Sequence, residues 1–226
     1  MRINKAAFSI AACLGLAVFT PSSASAGVIY SITVNTSSEL GQAGYIDIQF
    51  NPGASTSQLA TLDVTDFSTD GVLNPTAPYN LTFDDVSGAL PGTLVFDNGE
   101  TFNEYTEGMT FGTTITALLT FDGPAIESPN GSTPSLFFLD FLNADESANL
   151  FTSDPTGSNS NQYDVTVATI SVNPDGSTTP VTYPATEGGT SDATLSQVPE
   201  PSSFVLFGAV LAGLGLRAVR RSRRRR

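Results

Sequence analysis

From Thr114 to Phe121 the chain alternates with a period of two. Ile115, Ala117, Leu119 and Phe121 hold one parity, and Thr114, Thr116 and Thr120 hold the other. That period belongs to a half-buried β-strand, because successive side chains leave a strand on opposite faces. The pattern recurs along the chain. Val28, Tyr30, Ile32 and Val34 share a face, and Ile46, Ile48 and Phe50 follow after Gly41 and Gly44. Leu62 and Val64 sit in a strand near 58–67, Leu81 and Phe83 open another, and Leu94 and Phe96 mark a short one. Leu136–Leu142 is apolar on both faces apart from Asp140, which predicts a strand inside a sheet. Tyr163, Val165 and Val167 alternate, and Ile170 and Val172 continue out of phase, which predicts a β-bulge near Ala168–Thr169. No stretch of the body carries a helical period.

Turn signals separate these runs. They are Asp70-Gly71, Asp97-Asn98-Gly99, Asp122-Gly123-Pro124, Asn130-Gly131 and Asn173-Pro174-Asp175-Gly176. Gly supplies positive φ, Pro presets a turn position, and Asp or Asn bonds its own backbone. The last of them closes a predicted hairpin between strands near 163–172 and 177–183. About nine or ten short strands at this spacing predict an all-β fold, an antiparallel β-sandwich of Ig-like or jelly-roll kind, with a closed barrel as the alternative. Residues 27–184 suit one such domain. Residues 185–197 are polar, with Gly, Thr and Ser, and predict a flexible linker.

Charge narrows the chemistry. All 22 acidic residues lie between 27 and 216, and that interval holds no Lys, Arg or His. The body is therefore a polyanion without a side-chain cation. Nucleic-acid binding is excluded as a reading, because phosphate affinity comes from Lys and Arg. A His base, a Ser-His-Asp triad, a Lys Schiff base and an Arg clamp are all absent. The one cysteine, Cys13, precedes the body, so thiolate and imidazole metal sites are absent too. Carboxylate chemistry and hard cations bound through oxygen remain. Four acidic groupings are candidates for calcium: Asp63, Asp66 and Asp70 at a strand end; Asp84-Asp85 at a turn; Asp97 and Glu100 in a turn; Asp140, Asp145 and Glu146 around a strand exit. None fits the EF-hand or nonapeptide calcium pattern, so turn-forming, solubilising acids are the plainer reading. Apart from that possible structural calcium, no cofactor is expected. Paired carboxylates also admit a glycoside hydrolase. The chain has no Trp to stack a sugar ring.

Both ends carry address signals. Arg2 and Lys5 precede an apolar run over Ala6–Phe19, Pro21 breaks it, and Ala24-Ser25-Ala26 fits small-residue cleavage before Gly27. Residues 1–26 thus read as a secretory signal peptide, which implies Sec-type export machinery and signal peptidase as partners. At the other end stand Val198 and then Pro199-Glu200-Pro201. An uncharged run, Ser202–Leu216, follows, and then Arg217, Arg220, Arg221, Arg223, Arg224, Arg225 and Arg226. A 15-residue helix spans about 22 Å against a bilayer core of about 30 Å. Snorkelling arginines extend the usable helix to 202–219, and the cluster over 217–226 holds the cytoplasmic side.

Pro-Glu-Pro, a short apolar helix and a terminal arginine cluster together resemble the PEP-CTERM sorting signal of Gram-negative bacteria, here over residues 198–226. The resemblance implies Pro199, Glu200 and Pro201 as the recognition motif and the arginines as the membrane stop. It also implies an exosortase-type membrane protease that removes the tail near the motif. The body would be anchored transiently at the inner membrane and then pass to the cell surface or extracellular matrix. Val34-Asn35-Thr36-Ser37, Phe50-Asn51-Pro52-Gly53 and Val172-Asn173-Pro174-Asp175-Gly176 resemble one group of PEP-CTERM ectodomains, and that resemblance implies no activity. The expectation is an acidic structural or adhesive protein of a surface or biofilm matrix, not an enzyme. Matrix polysaccharide or other surface proteins are its expected partners. A carbohydrate-binding module, calcium-dependent or not, is the alternative, ahead of a carboxylate-only hydrolase.

Overall fold

The structure, a computed structural model, describes residues 27–74, 81–83, 85–156, 165–186 and 189–199. The expected signal peptide with Ala24 and Ala26 lies outside them. So do Asp84, Glu200, Pro201, the expected membrane helix over 202–219 and the arginine cluster. Among the described residues no helix is long and apolar enough to cross a membrane.

Two antiparallel sheets face each other. The first runs in the order β13 (Ala193–Val198), β1 (Val28–Asn35), β9 (Thr114–Asp122), β3 (Thr61–Thr69), β7 (Leu94–Asp97) and β6 (Val86–Gly88). The second runs β12 (Thr178–Thr182), β11 (Ala168–Val172), β10 (Ser135–Asn143), β2 (Ala43–Pro52), β8 (Glu104–Thr110) and β4 (Val72–Leu73). There β5 (Leu81–Phe83) also pairs with β8. A short α-helix, α1 (Pro124–Glu127), follows Gly123, whose φ of 92° opens the turn after β9. The expected all-β architecture is present, and β10 lies inside its sheet between β11 and β2, as its two apolar faces require.

The inward parity of each strand builds one core. Ile115, Ala117, Leu119 and Phe121 of β9 meet Ile46, Ile48 and Phe50 of β2 and Phe137, Leu139 and Phe141 of β10. Edge-on aromatic contacts sit at both ends. Phe121 stacks against Phe50 at 5.8 Å and Phe137 at 6.2 Å, while Phe141 meets Phe151 at 5.4 Å at the other end. Each such side chain contributes roughly 1.5–3 kcal/mol when fully buried.

Two strand irregularities and the 185–197 stretch bear on the sequence expectations. The expected bulge is present one residue early: Val167 N–H donates to Leu139 O at 3.0 Å while Ala168 is the register partner of Leu139, so two residues stand opposite one and the phase changes there. A second irregularity lies in β3, between Thr65 and Ser68, with Asp66 at φ 51°. It moves the inward parity from Leu62 and Val64 to Phe67, which is buried. The stretch 185–197 is not linker throughout, because Ala193–Val198 forms β13 on the edge of the first sheet. Ala193 is buried there and Leu195 packs against the core. β12 contains Pro180, which an edge strand tolerates because one of its sides needs no main-chain donor.

Candidate functional site

The first functional feature is an end of the molecule. β13 pairs with β1 so that Val198 lies opposite Ile29, and β9 pairs with β1 so that Phe121 lies opposite Val28. The expected start of the mature body, Gly27, and the start of the expected motif, Pro199, therefore leave the same end of the sheet on neighbouring strands. That end is braced. Tyr30 Oη and Thr178 Oγ1 lie 2.8 Å apart across the two sheets. Buried Asn98 donates from Nδ2 to Gln58 O (2.9 Å) and Ser135 Oγ (2.6 Å), and its Oδ1 accepts from Ala60 N–H (2.7 Å). Asn98 belongs to the turn that was a calcium candidate, and its side chain is used up as a pin.

The second feature is a row of acids on the outer face of the second sheet. Asp47 on β2 lies directly opposite Asp140 on β10. Asp47 is only 6% exposed, although its parity points away from the core. Gln49 Nε2 donates to Asp47 Oδ2 (3.0 Å) and to Glu104 Oε1 (3.3 Å), which ties β2 to β8. The Oδ1 atoms of Asp47 and Asp140 are both buried with no hydrogen-bond partner among the described residues. Burial pushes the Asp47 carboxyl well above its usual range, and the charges of Asp140 and Glu104 push the same way. Burial raises Asp140 to about 7; the Thr166 side chain acts against this, and the Glu104 charge adds to it. Burial raises Glu104 as well. Asp140 was a sequence candidate. Asp47 and Glu104 were missed, because alternate acids on a half-exposed strand look like a solvated face.

A third carboxyl lies inside. Glu107 holds an inward position of β8, opposite Ile46, and is 2% exposed. Tyr105 Oη donates to Glu107 Oε2 and accepts from Leu90 N–H at 3.1 Å. Burial raises the Glu107 carboxyl, and the Tyr105 bond counteracts it. This glutamate hid β8 from the sequence, since Tyr105-Glu107-Met109 does not read as an apolar parity.

The remaining calcium candidates are dispersed. Asp63 on β3 is half-buried, and its carboxyl is raised by burial and then by the charge of Asp122. Asp66 sits in the β3 irregularity. Asp70 Oδ1 accepts from Thr113 N–H (2.7 Å) and Thr114 N–H (3.0 Å), and its Oδ2 from Thr113 Oγ1 (2.6 Å). The Thr113 side chain, first among these, holds the exposed Asp70 carboxyl below its usual range. Asp97 accepts from Gly99 N–H, and Glu100 is exposed. Asp145 accepts from Ser147 Oγ (2.6 Å), and Glu146 follows it at φ 58°. Among the described residues no group of three or more Asp, Glu, His or Cys side chains is placed to hold a metal ion. Far from the tail, an open cleft of about 370 Å³ is lined by Glu39, Gln42, Asn143, Asp145 and Leu150.

No curated protein and no solved structure matches the chain. Its tail does have a match: residues 197–221 fit the PEP-CTERM protein-sorting motif, and the body described above ends on β13 where that motif begins. The chain carries the sorting signal of an exosortase substrate, an exported protein held transiently at the membrane.

Proposed function

We propose that this protein is a structural or adhesive component of the cell surface or extracellular matrix, without enzymatic activity. The observation that carries the reading is a sorting motif that begins on the last two residues of the final strand of an all-β, cation-free body. The body folds without ion pairs of its own, so its acidic surface is available for cations and neutral polymers of the matrix. Deleting the gene and comparing surface attachment, aggregation and matrix composition tests it. Loss of aggregation, with tagged protein in the matrix fraction of the parent strain, is the expected result. Unchanged attachment and matrix would overturn it.

A glycan-binding role is the second reading. The open cleft supports it, because Gln42 offers an amide and Glu39 and Asp145 carboxylates at the end away from the tail, while the Asn143 amide is bonded to Ser147 and Ala148. A glycan array probed with calcium and again with EDTA separates the two readings. Hits lost on Glu39→Ala favour glycan binding, and a blank array in both conditions removes it.

A further inference from the structure

The motif and the domain share residues. The sorting match begins at Gln197, yet Gln197 and Val198 are the last two residues of β13, opposite Tyr30 and Ile29 of β1. The pairing has a definite phase. Asn35 N–H donates to Asp192 O at 2.9 Å, one step beyond the strand and in the same register. Hydrogen-bonded pairs alternate along an antiparallel ladder, so Thr33/Thr194, Ser31/Ser196 and Ile29/Val198 are the pairs that exchange main-chain bonds. Val198 therefore has both its N–H and its C=O committed to Ile29. Gln197 turns its own toward the open edge, and Pro199 has no N–H to offer.

A protease that reads an extended segment does so largely through main-chain bonds, as in strand addition. Val198 cannot supply those bonds while it is zipped to Ile29. We propose that the β1–β13 pairing sets the inner limit of tail processing. In the folded protein the sorting enzyme reads the chain from Pro199 outward, and β13 stays in the mature domain. The retained strand matters in its own right. It covers the edge of β1, and Leu195 and Ala193 cover part of the core. A cut inside β13 would expose an unpaired edge on a body, residues 27–198, that has no lysine to blunt it.

The test replaces Ser196 with proline. Ser196 is exposed, so the substitution removes the N–H facing Ser31 without disturbing the core. Ser196→Ala is the control that keeps that N–H. The readout is the intact mass of protein recovered from cells that have the sorting enzyme. In parallel, the chain still carrying its tail is digested in detergent with a broad-specificity protease. The wild type and Ser196→Ala should end at or beyond Pro199 in cells, and should leave a resistant core that includes Val198 in vitro. Ser196→Pro should give shorter termini between 185 and 198 and lose Val198 at least tenfold faster in vitro. Wild-type termini inside 193–198, or an identical boundary and rate in Ser196→Pro, would overturn the proposal. Should Ser196→Pro fail to accumulate, the wild-type boundary alone still decides. A tail left whole in cells, with a resistant core through Val198 in vitro, would overturn the sorting and support the boundary.

Discussion

Asp47 and Asp140 stand directly opposite each other on β2 and β10, each with a buried Oδ1 that finds no hydrogen-bond partner among the described residues. No side-chain cation exists anywhere in the body to pair with them. Unpaired buried charge is costly, so a proton is the simplest way to neutralise the pair.

This gives a pH dependence of defined sign. Both carboxyls are raised, Asp140 to about 7, whereas an unfolded Asp titrates near ~3.9. Their contribution to stability is full below that unfolded value and is lost as pH rises through about 7. Thermal melts between mildly acidic and mildly alkaline buffers should show a falling Tm. Asp140→Asn keeps the shape and removes one charge. It should flatten the slope and raise stability on the alkaline side by about 1–2 kcal/mol, or roughly 2–8 °C in Tm. An unchanged slope would place the pH dependence in the general repulsion of the surface acids.

Tyr105 is the partner of an inward glutamate. Tyr105→Phe leaves the Glu107 carboxyl and the Leu90 N–H without the hydroxyl that joins them. The expected loss is about 1–3 kcal/mol in urea unfolding at neutral pH. Glu107→Gln removes the buried charge and keeps an acceptor for Tyr105, so it should cost less than Tyr105→Phe. Equal losses in the two variants would mean that the charge itself matters.

Asn98 serves three groups on separate segments, Gln58, Ala60 and Ser135. Asn98→Ala orphans the Ala60 N–H and the Gln58 carbonyl at the tail end of the sandwich. A loss of about 2–3 kcal/mol is expected. Hydrogen exchange should rise first at Ala60 and its neighbours, and uniform exchange across the domain would contradict a local pin.

Gly112 touches the Asp70 bridge at the opposite end. A Cβ there would collide with Asp70 Oδ1 and with the main chain of Gly71. Gly112→Ala should therefore destabilise by about 1–3 kcal/mol, comparable to overpacking a core. Combining it with Asp70→Ala should recover part of that loss in a double-mutant cycle, since the carboxylate is one of the groups struck. Additive losses would show that the Asp70–Gly71 main chain is the whole obstacle.

The sequence by itself determined the fold class, the charge and the address. Ile115–Phe121 and Leu136–Leu142 declare their strands because a period of two is local and survives without neighbours. The tail is legible for the same reason, since Pro199-Glu200-Pro201 and the arginines act as a linear signal read along the chain. What only the tertiary structure decided depends on partners distant in sequence. β8 carries a glutamate at a core position, tolerable only because Tyr105 folds over it. β13 has almost no apolar pattern, and becomes a strand because β1 offers an open edge in register. The acids look alike along the chain, whether or not the sequence singled them out. Packing alone separates exposed Asp70, bound to the Thr113 backbone, from buried Asp47 and Asp140, whose carboxyls face each other across two strands 93 residues apart in sequence. Desolvation and cross-strand proximity are properties of that packing, and no local pattern encodes them.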